Sequence, residues 1–149
     1  MMRAFVIVIL CLLAPACAAG DTLKIVRDGD VVTKVKIDLA ETEAERQTGL
    51  MRVKYMPADR GMLFIFPKQR LITMWMRNTY IPLDMIFAQC DGTISHIHEN
   101  AVPHDETLIS SKGLARVVLE VNGGFAAHHG IKAGDRLKHK RLDGEGCKP

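Results

Sequence analysis

Aromatic side chains make up only 5% of this 149-residue chain, and there is a single tryptophan. That is too little for the row of stacking rings on which proteins lay single-stranded nucleic acid or long glycans, although one well-placed Trp serves a small ligand. Charge of one sign is also scarce: the formal net charge is +3, no basis for holding nucleic acid or anionic lipid by field alone. No apolar run reaches the ~20 residues that a membrane-spanning helix needs. Glycine-rich phosphate cradles are missing, because Gly123-Gly124 lacks the third glycine and the preceding strand–helix context. Ser110-Ser111 has no GxSxG elbow around it, and none of the six histidines has HExxH spacing. Nucleic acid and organic cofactors are therefore not expected, a stable membrane span is not expected, and the oligomeric state is left open.

What is present begins at the first residue. Met1-Met2-Arg3 is a short positive segment, Ala4 to Ala14 is an apolar run of about eleven residues, and Ala16-Cys17-Ala18 offers small residues at the cleavage positions. This is the pattern of a secretory signal peptide over 1–18, and it predicts a single mainly β domain over 19–149 in the periplasm or secreted. Lipid anchoring at Cys17 is less favoured, because Ala14 stands where bacterial lipoproteins favour Leu. The remaining ~130 residues suffice for one domain with its own core.

Of four cysteines, Cys11 and Cys17 fall within the leader, which leaves Cys90 and Cys147. An even pair in an oxidising compartment predicts a disulfide. It would close a loop of roughly 60 residues, worth about 4 kcal/mol by chain entropy, and would pin the polar tail from Asp143 to Pro149.

Period-two alternation organises much of the rest. Leu23 and Ile25, a turn at Asp28-Gly29-Asp30, then Thr33, Val35, Ile37 and Leu39 on one face predict a hairpin. Thr42 and Glu45 make a capping box for a short helix to about Thr48, with Gly49 as a left-handed cap. Met62–Phe66 and Leu71–Met76 read as two strands broken at Pro67–Arg70. Leu83–Cys90, Asp91-Gly92 and Thr93–Asn100 read as a second hairpin. Residues 101–114 read as a surface loop, Arg116–Val121 as a strand, Gly123 to His129 as a short helix closed by Gly130, and Arg136–Leu142 as a last edge strand. The fold class expected is α+β: mainly antiparallel β, a curled or barrel-like sheet of about seven short strands with two short helices.

Several blocks in fixed order carry a family likeness: Gly49-Leu50-Met51, Arg60-Gly61-Met62-Leu63-Phe64, Trp75-Met76-Arg77-Asn78-Thr79, Pro82-Leu83-Asp84, Leu119 to Gly124, Gly130-Ile131 and Gly134-Asp135. Over roughly 31–140 the chain resembles the domain-of-unknown-function 192 family. The resemblance implies a compact, mainly β domain, often exported, with no agreed substrate. Cys147 and the pair His96 and His98 stand outside that motif set.

Two blocks carry chemistry. Trp75, Arg77, Asn78, Thr79 and Asp84 combine one ring with donors and acceptors, residue types suited to a small polar ligand or a glycan; Asn and Thr also make turns through local backbone bonds. Glu120 interrupts an apolar strand and faces opposite to Val117, Leu119 and Val121, so a covered strand would bury a carboxylate needing a partner such as Arg77 or Arg116. A binding module built on these residues is the first expectation. With Asp84, Glu120 would form the carboxylate pair of a hydrolase, an alternative. A copper or zinc site is the third, from His96 and His98 two apart on a strand and from Met74 and Met76; buried Met more commonly packs cores.

Overall fold

The computed structural model describes residues 21–142. Residues 1–18, read above as a signal peptide, and Cys147 lie outside the described residues. Strands β1 (Asp21–Arg27) and β2 (Asp30–Ala40) form the first hairpin. Asp28 and Gly29 both take positive φ, 51° and 98°, as a two-residue turn matched to strand twist requires. Helix α1 (Glu43–Thr48) follows. The Thr42 hydroxyl accepts from the Glu45 amide at 3.2 Å, and the Glu45 carboxylate accepts from the Thr42 amide at 2.8 Å. Gly49 ends the helix at φ 46°, ψ −136°, which differs from the left-handed helical cap expected. A Cβ there would lie 3.0 Å from the Phe64 ring, so only glycine lets this turn rest against it.

Strand β3 (Arg60–Met74) is continuous where two strands were expected. Its pairing shifts between Ile65 and Arg70: Pro67 has no N–H to donate, and the chain absorbs it as an irregularity within the strand. Strands β4 (Leu83–Ala88) and β5 (Ile94–Ala101) form the second hairpin as expected. Strand β6 (Ile109–Asn122) is longer than its sequence suggests, because 109–115 pairs with the far half of β3, Met74 opposite Ile109 and Leu71 opposite Leu114. Helix α2 (Phe125–His129) lies between Gly124 and Gly130, both left-handed. Strand β7 is only Arg136–Lys138, and the chain then makes a 3-10 turn at Lys140–Leu142.

The seven strands form one sheet in the order β5-β4-β6-β3-β2-β1-β7. Pairing is mixed rather than purely antiparallel: β2 and β3 run parallel, Lys36 opposite Arg60 through Ala40 opposite Phe64. The connection through α1 carries the chain back to the start of the sheet, as a parallel neighbour demands. The sheet curls without closing. Its edges meet at one bridge, Thr93 to Arg136, with backbone bonds from Leu137 N to Gly92 O and Ile94 N to Asp135 O, both 2.8 Å.

The core has two layers. One draws on all seven strands and α2, with Leu23, Ile37, Leu63, Ile86, Leu119 and Phe125 among its members, and fills the curl. The other covers the opposite face of β3, β4 and β6 with Leu50, Met56, Phe64, Met76, Phe87 and Val118. Strand β4 is consequently buried at every position, Asp84 included, as its otherwise apolar run leads one to expect.

Candidate functional site

Alternation along β6 decides where Glu120 goes. Val117, Leu119 and Val121 belong to the layer inside the curl, and Val118 to the second layer. Glu120 shares the face of Val118, with Met62 of β3 and Met85 of β4 directly opposite. Only 4% of it is exposed. Neither Arg77 nor Arg116 supplies the expected partner: Arg77 meets Glu106 at 3.9 Å, and Arg116 Nε donates to the Phe66 carbonyl at 3.2 Å. No hydrogen bond or ion pair reaches the Glu120 carboxyl among the described residues. Burial pushes its pKa up to about 8, so at neutral pH it is mostly protonated, with both a donor and an acceptor to offer.

That carboxyl lines a cleft of about 630 Å³, the size of ordinary small-molecule sites. Phe64, Phe66 and Leu50, all buried, give it apolar walls, with Met51 and the half-buried Met74 beside them. Exposed Arg70, Trp75, Arg77 and Leu108 stand at its mouth. The guanidinium groups of Arg46 and Arg70 lie 5.2 and 5.1 Å from the Phe66 ring centre, and that of Arg77 lies 5.7 Å from Trp75. Arg46 Nη1 also donates to the carbonyls of Glu41 and Ile65, which fixes the side chain against the wall.

Four of the six residues expected at the site, Trp75, Arg77, Thr79 and Glu120, line this one cleft. Asn78 and Asp84 do not. Asn78 is exposed at φ 54°, and its carbonyl accepts from the Arg52 amide at 2.8 Å, holding the 76–79 turn in place. Asp84 is wholly buried. It accepts from the amides of Asn100 at 2.8 Å, Gly124 at 3.0 Å and Ala126 at 2.8 Å, which satisfies the start of α2. Asp84 lies opposite Val121 and Glu120 opposite Met85, so the two carboxylates point to opposite faces of the sheet. The hydrolase pair is not assembled.

His96 and His98 lie opposite Phe87 and Met85 on the second-layer face. His96 stacks on Phe87 with ring centres 5.9 Å apart, and burial lowers its pKa. Among the described residues no three His, Cys, Asp or Glu side chains gather as metal ligands. Met76 is fully buried in the core. Cys90 is half-buried and its amide donates to Gln69 Oε1 at 3.0 Å, but its expected partner Cys147 falls outside the described residues. No described helix is long and apolar enough to cross a membrane.

Arg46, Arg70, Phe64 and Phe66 were not singled out in the sequence. Phe64 and Phe66 alternate along the block Met62–Phe66, so the signal for one wall existed; the arginines come from segments whose approach the sequence does not encode locally.

Two solved structures are similar along most of their length. A Sinorhizobium meliloti 1021 protein, provisionally described as a transcription regulator, is 42% identical with TM-score 0.77, covering 80% of this chain and 92% of that one. A protein of unknown function from Novosphingobium aromaticivorans DSM 12444 is 39% identical with TM-score 0.75, covering 78% and 83%. No curated protein matches. Residues 24–139 match the model of DUF192, described as an uncharacterized ACR, and the chain belongs to that family.

Proposed function

We propose that this protein is an exported binding module that holds a small polar ligand in the Glu120 cleft. The observation that carries this reading is a buried carboxyl without a partner at a cavity of ligand size. A carboxyl held in so desolvated a place lowers stability unless something hydrogen-bonds to it, and departures of this kind are expected at functional sites. Trp75, Arg77 and Thr79 supply a ring, a cation and a hydroxyl around the same space.

Export fits the leader at 1–18, with the mature chain periplasmic or secreted and a Cys90–Cys147 disulfide formed there. N-terminal sequencing of the exported protein is expected to begin near Ala19; a chain that keeps Met1 would remove the export reading.

The test of the cleft is Glu120→Leu, followed by thermal unfolding and by Trp75 fluorescence across a small-molecule library. The chain has one tryptophan, so its emission reports this mouth alone. The expected result is a variant at least as stable as the wild type that has lost every ligand-induced shift. A variant that is less stable and keeps those shifts would show that Glu120 is structural.

A further inference from the structure

The charges around the cleft are one-sided. Arg46, Lys68, Arg70 and Arg77 line it, against Glu43 and the buried Glu120. Among the described residues Arg46, Lys68 and Arg70 have no carboxylate within ion-pair distance, and Arg77 has Glu106 only at 3.9 Å. Arg46 and Arg70 rest on the Phe66 ring instead. A guanidinium on a ring face keeps N–H groups at its edge for a second partner. Unneutralised cations over apolar walls focus a positive potential into the concavity.

Resting on the cleft reading, we infer that the occupant is a small organic anion with a ring body. Its acidic group meets Arg46 and Arg70, its ring lies against Phe66 and Trp75, and a hydroxyl or amide end hydrogen-bonds the Glu120 carboxyl. A cationic ligand is disfavoured by four cations at the entrance. A purely apolar one leaves Glu120 without a partner and gains nothing from the arginines. An aromatic acid and an acidic sugar share the required chemistry, since both present an anionic group, a ring face and a hydroxyl.

Calorimetric titration of the full protein with two matched sets separates these cases. The aromatic set is 4-hydroxyphenylacetate, 4-hydroxyphenylacetamide and tyramine; the sugar set is glucuronate, glucose and glucosamine. Within each set the main change is charge. The expected result is that the anion of one set binds at least tenfold more tightly than its neutral and cationic counterparts. Arg70 is exposed on β3, so Arg70→Gln keeps the fold and removes that preference. Which set responds identifies an aromatic or a sugar source. Equal binding of the neutral compound, or tighter binding of the amine, with either abolished by Glu120→Leu, overturns the anion inference and leaves the cleft reading standing. Binding that survives Glu120→Leu, or no binding of any of the six at millimolar concentration, overturns both.

Discussion

Asp84 and Glu120 sit one register step apart on neighbouring strands and face opposite sides of the sheet. That single step gives the two carboxylates different lives. Asp84 accepts three backbone amides and holds α2 to the sheet. Glu120 accepts none and looks into the cleft.

Asp84→Ala is expected to lower stability by about 3 kcal/mol, since it strips charge-assisted bonds from three amides, two of them at the start of α2. Denaturant unfolding measures the loss. Ligand response at 25 °C is expected to persist in the folded fraction, because Asp84 does not reach the cleft. A variant of wild-type stability would contradict the role given to this side chain.

Glu120 makes stability depend on pH. Its folded pKa, about 8, lies above that of the unfolded chain. The unfolded state therefore ionises first as pH rises, and the fold weakens from about pH 4.5 until the folded group also ionises near 8. Glu120→Gln removes this slope. The variant is expected to gain on the wild type by a few kcal/mol between pH 5 and 8, and parallel urea titrations across that window check it. Curves that stay parallel would mean that the carboxyl is already ionised in the fold.

Asp135, 2% exposed, receives Arg27 through both carboxylate oxygens at 2.7 and 2.8 Å, plus the Lys132 amide at 2.9 Å. The Arg27 guanidinium holds its carboxyl below the usual range. Its contribution is thus complete above about pH 4 and is lost as acid protonates it in the fold. Asp135→Asn is expected to cost about 2–4 kcal/mol at pH 7, and the deficit relative to wild type to shrink as pH falls below about 4.

The disulfide proposed between Cys90 and Cys147 predicts no free thiol from that pair in protein recovered from the periplasm. Reduction is expected to lower stability by up to about 4 kcal/mol. Alkylation and mass measurement, with and without reductant, decide the first point. Two alkylated thiols before reduction would remove the bridge.

Much of the fold was legible because its signals are local. Asp28-Gly29 and Asp91-Gly92 announce hairpins, and Thr42 with Glu45 announces α1, since turn and cap chemistry act over a few residues. The parallel pairing of β2 with β3 was not legible, because it depends on where the 41–59 connection delivers the chain. The extension of β6 through Ser110, Ser111 and Lys112 was hidden for a related reason. Ser110 pairs by backbone with Thr73, and the Ser111 hydroxyl accepts from the Ile72 amide, so the segment shows no apolar stripe. Glu120 stood out as a charge within an apolar run, and Trp75, Arg77 and Thr79 by their types. Arg46 and Arg70 did not, because helix α1 and the far half of β3 meet only in the folded chain.

The two-layer core has a consequence for how this family can diversify. The seven strands curl around one layer, and the cleft is cut into the other, on the outer face. Exposed positions such as Arg70, Trp75 and Leu108 can therefore change chemistry while the curled sheet keeps its interior intact. On the proposed reading of the cleft, the frame accepts different occupants, and its specificity is free to evolve at little risk to foldability.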